Sequence, residues 1–245
     1  MTLKTDEDDA EDLEARRTKT GRAVRPRDAA TLVLVRRDEN GKAHVLMGQR
    51  HGGHRFMPNK FVFPGGRVDV GDSRITPSHE LRPDVMERLC KGCSFTKARA
   101  LALAAIRETF EETGLLVGDI GTPTRSTRSG PWMRFMSNGV VPRLDILDYV
   151  ARAITPPYRD RRFDARFFMC DAIYIQGDVH DTTGASGELL QIHWVPLDEA
   201  KKLDLPSITH VVIEEVDRRL HEPGGSERPV PFYLTRHSKR VVETV

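Results

Sequence analysis

Three glutamates are crowded into one short segment of the sequence, at Glu108, Glu111 and Glu112. In a helix these positions are i, i+3 and i+4, so their Cβ atoms share one face and lie about 5 to 6 Å apart. Carboxylates held this closely repel one another, and a hard cation such as Mg²⁺, which prefers oxygen ligands, would relieve the repulsion. Arg107 precedes Glu111 by four residues and is placed to orient that carboxylate through an ion pair. An isolated acidic pattern is more often a solvated helix face, so the surrounding sequence has to decide.

The segment around the glutamates predicts a helix from about Phe95 to Thr113, with Gly114 as its stop. Apolar side chains on the opposite face would anchor this helix to a core: Ala102, Leu103, Ile106 and Phe110. Upstream, Phe63-Pro64-Gly65-Gly66 predicts a short strand that runs into a glycine pair, where the backbone can approach a metal or a phosphate closely. The acidic face and the glycine pair together favour a metal site.

With these residues the sequence resembles the Nudix hydrolase family, whose box reads glycine, five residues, glutamate, seven residues, then Arg-Glu-apolar-any-Glu-Glu-any-Gly-apolar. Gly66 fits the first glycine, and the second half is matched by Arg107, Glu108, Glu111, Glu112, Gly114 and Leu115. Two features depart from the pattern. Asp72 stands where the family has its first glutamate, and 35 positions separate it from Arg107, which implies an insertion around Ser73 to Ala98. We expect the insertion to project as a loop.

The resemblance implies an α/β fold, the Nudix α/β/α sandwich with a mixed β-sheet and an insertion inside the box. It implies that the carbonyl of Gly65 and the carboxylates of Glu108, Glu111 and Glu112 bind Mg²⁺ or Mn²⁺. It also implies that Arg107 belongs to the catalytic set and that Gly66 lies at the substrate. A further base or ligand usually precedes a late strand, and Glu188 occupies such a place; an ordinary loop glutamate is the alternative.

The segment before the glycine pair resembles the signature of coenzyme A diphosphatases in this family, with Arg50 and Arg55 at that signature's spacing. The planar fork of arginine suits a substrate that carries a 3′-phosphate besides its diphosphate. A closer resemblance, from about Ala29 to Leu220, is to the peroxisomal-type coenzyme A diphosphatases with an interrupted box, and it places Arg162 and Phe163 near the substrate. We therefore expect hydrolysis of coenzyme A or acyl-coenzyme A to phosphopantetheine and adenosine 3′,5′-bisphosphate.

Two other functions stay open at this point. An ADP-ribose or nucleotide-sugar diphosphatase would keep the metal site and ignore a 3′-phosphate. A non-catalytic Nudix module would bind a nucleotide without turning it over. The full set of helix carboxylates argues for activity, whereas Asp72 and the insertion argue against it.

The composition of the chain limits the classes of binding partner and the cellular compartment that we expect. The formal net charge of +2 comes from 38 basic and 36 acidic residues, so no global field favours a nucleic-acid or membrane partner. We expect a small-molecule nucleotide substrate and a cytoplasmic location, because three cysteines make no disulfide framework and the acidic start lacks a secretory pattern. Cys90 and Cys93 lack the second ligand pair that zinc needs. A homodimer is left open.

The remaining chain predicts one domain of interleaved strands and helices. Residues 1–27 carry an acidic and then a basic block with few apolar residues, which predicts a disordered tail before a single domain at 28–245. Strands are expected at 30–37, 43–50, 61–63, 166–177 and 189–195, and helices at 142–154, 198–203 and 207–220. The segment 122–142 reads as a loop.

Overall fold

The hairpin expected at residues 30–50 forms two neighbouring strands of a mixed β-sheet. The computed structural model describes residues 23–50, 59–222, 224–236 and 239–245. Its strands are β1 (Arg27–Arg37), β2 (Ala43–Arg50), β3 (Phe61–Val62), β4 (Gly65–Arg67), β5 (Leu116–Val117), β6 (Asp119–Ile120), β7 (Val140–Val141), β8 (Asp148–Ile154), β9 (Phe163–Asp171), β10 (Ile175–Gln176), β11 (Leu189–Pro196), β12 (Pro231–Arg236) and β13 (Lys239–Thr244). Its helices are α1 (Pro83–Cys90), α2 (Phe95–Thr113), α3 (Gly130–Met136), α4 (Leu197–Ala200) and α5 (Ser207–His221), with 3₁₀ turns at Asp72–Arg74, Ala172–Tyr174 and Gly225–Glu227. Arg55 and residues 1–22 of the expected tail lie outside the described residues.

Nine of the described strands form one large sheet in the order β11-β2-β1-β9-β8-β12-β13, with β3 paired to β2 and β4 paired to β1. The other four form two small sheets, in which β5 pairs with β10 and β6 pairs with β7. β1 runs parallel to β9, and β8 runs parallel to β12. The other neighbours in this sheet are antiparallel. The expected mixed sheet is confirmed, and the pairing of β4 with β1 holds the glycine pair near its middle.

Apolar side chains cover both faces of the sheet. One face, which includes Leu32 and Phe168, packs against α1, α2 and α3. The other face, which includes Val33 and Phe167, packs against α4 and α5. Successive residues of a strand point to opposite faces, which explains why β1 and β9 read as nearly continuous apolar runs. The layers are those of the expected α/β/α sandwich.

Helix α2 has the bounds that the sequence predicts. At its start the Ser94 hydroxyl accepts a hydrogen bond from the Lys97 amide (3.4 Å), and at its end Gly114 adopts a left-handed conformation with φ of 81°. Every residue from Ala100 to Ile106 is buried, because the sheet covers one side of the helix and α1 and α3 cover others. This burial fixes the position of the glutamates that follow in its last turns.

Two predictions for the middle of the chain are wrong. The segment 142–154 was expected as an amphipathic helix, but it forms β8 from Asp148 onward. Strand β8 lies between β9 and β12 with both faces covered, so its apolar residues follow no strand-like alternation. The expected loop at 122–142 contains α3, because Trp132 and Phe135 are fully buried beside α2.

Other differences lie in the predicted insertion and at the end of the chain. The insertion was expected as a loop, yet it contains α1, whose Val85 and Leu89 are buried in the same core cluster as α2. The strand expected at 166–177 is interrupted by the turn Ala172–Tyr174. The hairpin β12–β13 has no counterpart in the sequence-based expectations. Among the described residues, no helix has the length and apolar character needed to span a membrane.

Candidate active site

The last turns of α2 place two glutamates against the glycine pair of β4. The backbone N–H of Gly65 donates a hydrogen bond to Oε2 of Glu112 (2.8 Å). Gly66 faces the other glutamate so closely that a Cβ atom there would lie 2.5 Å from the carboxylate carbon of Glu108. At Gly65 the backbone itself requires glycine, since a Cβ there would lie 2.6 Å from the carbonyl oxygen of Ala30. Backbone and carboxylates therefore meet in one place.

Arg107 joins three carboxylates at the base of this site. Its Nη1 donates to Oε1 of Glu108 (2.8 Å) and to Oε1 of Glu111 (2.7 Å). Its Nε and Nη2 donate to Oδ1 and Oδ2 of Asp72, at 2.7 and 3.0 Å. Nη2 also donates to the carbonyl oxygen of Arg67 (2.8 Å). The fork of this buried guanidinium thus fixes the positions of several acidic groups at once.

Asp72 is fully buried and is held from three directions. Besides Arg107, the indole Nε1 of Trp132 donates to its Oδ1 (2.8 Å), and the backbone N–H of Asp69 donates to its Oδ2 (2.7 Å). Sequence reasoning noted Asp72 only as a departure from the family pattern and placed Trp132 in a loop. The pairing of Asp72 with the tryptophan has no signal in sequence spacing, because the two residues are 60 positions apart.

The glutamates sit in an environment that disfavours their charge. Burial raises the pKa of Glu112 well above its usual range; the hydrogen bond from Gly65 opposes this, and the negative charge of Glu108 adds to it. Burial also raises the pKa of Glu108, although Arg107 opposes the shift. Both carboxylates are therefore harder to ionise than an exposed glutamate, and burial is the main reason.

A cleft of about 1870 Å³ opens over these residues. Gly65, Gly66, Glu108 and Glu112 line it at one end, together with Arg50 and Glu188. The positive charge of Arg50 acts on Glu112, where it lowers the pKa against the dominant effect of burial. Glu111 takes a different position, because its carboxylate is engaged by Arg107 and by Arg134 (3.6 Å). The structure thus gathers most of the expected site residues, with Glu111 set to one side.

The loop that carries Glu188 is fastened to the end of α2. The backbone N–H of Ser186 donates to the carbonyl oxygen of Glu111 (3.0 Å). Gly114 and Gly184 pack so closely that a Cβ on Gly114 would lie 3.0 Å from the Cα of Gly184. The negative charge of Glu188 contributes to the raised pKa of Glu108 and of Glu112. An exposed loop glutamate is therefore held beside the two buried ones.

Arg162 and Phe163 line the same cleft farther from the glutamates. Nε of Arg162 donates to the carbonyl oxygen of Thr155 (2.9 Å), and Nη1 donates to that of Val24 (2.7 Å). These two bonds tie the segment before β1 to the β8–β9 connection. Phe163 is the first residue of β9 and is half-buried. Arg55 lies outside the described residues.

The carboxylate arrangement does not form a ready coordination sphere. Among the described residues, no group of three or more histidine, cysteine or acidic side chains is arranged to hold a metal ion. The reason is visible in the hydrogen bonds: Glu108 and Glu111 turn toward Arg107, and Glu112 turns toward Gly65. The oxygens that these residues offer are nonetheless of the hard type that Mg²⁺ and Mn²⁺ prefer.

Comparison with known proteins shows what the chain and its fold resemble. No family model matches the chain. It is similar to nudix hydrolase 7 of Caenorhabditis elegans, at 28% identity over 58% of this chain and 43% of that protein. It is also similar to the acyl-coenzyme A diphosphatase NUDT19 of Xenopus laevis, at 28% identity over 37% of this chain and 34% of that protein. The chain thus spans less than half the length of these curated relatives.

A solved structure gives broader coverage. The crystal structure of a NUDIX hydrolase from Alicyclobacillus acidocaldarius matches 79% of this chain and 91% of its own, with 27% sequence identity and a TM-score of 0.60. Both chains therefore share the sandwich and the order of its layers.

Proposed function

We propose that the chain is a Nudix hydrolase and that it hydrolyses the diphosphate linkage of coenzyme A or an acyl-coenzyme A to phosphopantetheine, or its acyl form, and adenosine 3′,5′-bisphosphate. The observation that carries the proposal is the convergence of Glu108 and Glu112 on the backbone of Gly65 and Gly66 at one end of a large cleft. A diphosphate in that cleft would lie directly above the glutamate pair.

A divalent cation fits the chemistry of this donor set. The carboxylates of Glu108 and Glu112 are buried, their pKa values are raised by burial, and hard oxygen donors are what Mg²⁺ and Mn²⁺ require. The two glutamates, with Glu111 and the carbonyl of Gly65, would hold the ion. When bound, it would neutralise phosphate charge and lower the pKa of a water molecule.

The chain's own residues supply orientation. Arg107 fixes the carboxylates of Glu108, which lines the cleft, and of Glu111, and its bonds to Asp72 prevent it from turning away. The N–H of Gly65 fixes one oxygen of Glu112, a residue that lines the cleft. Pre-oriented ligands of this kind reduce the cost of reaching the reactive geometry. We propose Glu188, which is exposed and lines the cleft, as the residue that accepts a proton from the attacking water.

The choice of coenzyme A rests on the charges along the cleft. Arg50 and Arg162 line it together with other arginines, including Arg27 and Arg161. Coenzyme A carries a 3′-phosphate in addition to its diphosphate, and arginine binds phosphate oxygens in pairs. The name of the Xenopus relative, an acyl-coenzyme A diphosphatase, supports the same substrate class. We propose that Arg50 contacts the diphosphate and that Arg162 and Phe163 lie near the nucleotide.

The proposal is tested by comparing four substrates with the purified protein in Mg²⁺ or Mn²⁺: coenzyme A, dephospho-coenzyme A, ADP-ribose and a nucleotide sugar. We expect the highest kcat/KM for coenzyme A, because only that substrate among the four presents a 3′-phosphate to the arginines. A higher kcat/KM for ADP-ribose than for coenzyme A would support diphosphatase activity but overturn the assignment of coenzyme A as the substrate. Lack of turnover on all four would contradict the enzymatic function itself.

A further inference from the structure

The floor of the cleft contains a single row of residues that crosses six neighbouring strands. Each residue of the row pairs directly with the next: Arg67, Ala29, Ala165, Ala153, Tyr233 and Val242. All six line the cleft. Because directly paired residues in a sheet point to the same face, the row is continuous from the glycine pair to the C-terminal hairpin.

The composition of the row changes along its length. Its middle consists of Ala29, Ala165 and Ala153, whose side chains are one methyl group each. Larger side chains stand beside this part of the row, with Phe167 on β9 and Ile208 at the start of α5 both lining the cleft. Three successive alanines between larger neighbours leave a trough on the sheet surface. Its far end presents the apolar side chain of Val242, which is 61% exposed, and the half-buried ring of Tyr233, with Arg240 lining the cleft on the same strand as Val242.

The length of the row limits what would use it. Strands in a sheet lie about 4.8 Å apart, so the five steps from Arg67 to Val242 cover roughly 24 Å. Arg67 contacts the Arg107 guanidinium that holds Glu108, so one end of the row lies beside the proposed site of hydrolysis. A substrate that ends just beyond its diphosphate cannot occupy both ends of the row. A diphosphate with a long, narrow substituent would reach from one end to the other.

We propose that the alanine row guides an extended arm of the substrate and that Tyr233 and Val242 bind an apolar acyl group at the end of this arm. The inference rests on the proposed diphosphatase function and adds to it which residues select the substrate's tail. A thioester of coenzyme A has the required form, with a flexible arm between the diphosphate and the acyl chain. The small side chains admit the arm, and the apolar end favours chains long enough to reach the hairpin.

The first test fills the trough without altering the glutamates. Ala153→Leu places a branched side chain in the middle of the row, at a half-buried position. We expect kcat/KM for decanoyl-coenzyme A to fall about tenfold or more, because the arm loses its path and its buried contacts. The inhibition constant of ADP-ribose, which lacks the arm, should stay within about twofold. Thermal unfolding checks that the variant is folded.

The second test changes only the exposed end of the row. Val242→Asp places a carboxylate where the acyl chain would end, and Thr244→Asp places the same charge on the same strand and face, outside the lining of the cleft. In the wild type, kcat/KM should rise with chain length from acetyl to decanoyl, by up to about fourfold for each methylene that becomes buried. The Val242 variant should lose this rise, and the Thr244 variant should keep it.

The outcomes separate this inference from the function on which it rests. If the wild type cleaves none of these substrates, the proposed function fails. If it cleaves them but Ala153→Leu affects decanoyl-coenzyme A and ADP-ribose equally, or affects neither, the alanine row is not the path of the arm. A chain-length preference that survives Val242→Asp would overturn the role of the hairpin.

Discussion

Nε of Arg107 lies 2.7 Å from Oδ1 of Asp72, and this buried ion pair joins two residues 35 positions apart in the sequence. The intervening chain includes the predicted insertion with α1. The pair brings the segment after the glycine pair back to the last turns of α2. Arg107 also donates hydrogen bonds to Glu108 and Glu111, which connects the ion pair to these glutamates. The ion pair thereby keeps the glycine pair and the glutamates together across the intervening segment.

We expect Asp72→Asn to lower both stability and activity. The variant removes a negative charge that compensates the buried charge of Arg107, and breaking such a buried pair costs about 3 to 5 kcal/mol. We expect a loss near the lower end of this range, because Arg107 keeps its bonds to Glu108 and Glu111. Urea denaturation measures the change in the free energy of unfolding. Asp198→Asn, at an exposed ion pair with Lys42, is the control and should unfold like the wild type. An Asp72 variant as stable as this control would show that the pair does not hold the site together.

Substitution by alanine should have different effects at the neighbouring residues Gly65 and Gly66. In Gly65→Ala the new Cβ meets the backbone of β1 at 2.6 Å, so stability should fall by about 1 to 3 kcal/mol. In Gly66→Ala it meets the end of the Glu108 side chain, which is able to move, so activity should fall about 100-fold with a smaller loss of stability. Melting curves and kcat/KM distinguish the two effects.

Gly130→Ala provides the matched control for this pair. A Cβ there meets nothing within 4 Å, so the variant should be as stable as the wild type or up to about 1 kcal/mol more stable. Equal effects of the Gly65 and Gly66 variants on both stability and activity would contradict the distinction between backbone and side-chain contacts.

Local patterns were sufficient to predict the helix that carries the glutamates. Ser94 caps its start, Gly114 ends it, and the apolar residues between them repeat with helical spacing, so the bounds of α2 follow from the sequence. The same reasoning failed for β8. Leu144, Leu147 and Ala151 recur at helical spacing, but β8 is buried on both faces between β9 and β12, and in such a strand the apolar residues need not alternate.

The parts of the site that depend on distant pairing were not predictable in this way. Trp132 donates to Asp72 from a helix that the sequence presented as a loop, and the alanine row exists only because six strands come together in one register. Residue types alone placed Glu108, Glu112 and the glycine pair in one site. They did not indicate that Glu111 would lie apart, engaged by Arg107 and Arg134.

The raised pKa of Glu112 predicts a pH-dependent stability in the metal-free protein. A carboxyl group whose pKa is higher in the folded state contributes stability that is fully present below its unfolded pKa, which for a glutamate is near 4.5. That contribution is lost as the pH rises through the folded value. We therefore expect the melting temperature of Glu112→Gln to rise relative to that of the wild type as the pH rises above about 4.5.

Melting temperatures measured from pH 4 to pH 8 in a chelator test this expectation, because the chelator removes any cation that would compensate the charge. Glu199→Gln, on the exposed side of α4, serves as the control and should follow the wild type at each pH. A constant difference between wild type and Glu112→Gln over this range would show that Glu112 titrates normally in the folded protein.

Glu188→Gln tests the proposed proton acceptor. The change keeps the size of the side chain and its hydrogen-bonding oxygen but removes its basicity, so kcat should fall about 100-fold or more while KM for coenzyme A changes little. The dependence of turnover on Mn²⁺ concentration should remain, since Glu108 and Glu112 are intact. A variant with the kcat of the wild type would exclude Glu188 as the base.

The metal site is tested most directly by a Mn²⁺ titration of coenzyme A hydrolysis with the wild type, Glu112→Gln and the matched control Glu199→Gln. We expect saturable metal-dependent turnover in the wild type and the control. In Glu112→Gln we expect turnover to fall about 100-fold or more and the Mn²⁺-induced rise in melting temperature to disappear. Wild-type turnover and wild-type stabilisation by Mn²⁺ in Glu112→Gln would contradict a metal site built on this glutamate.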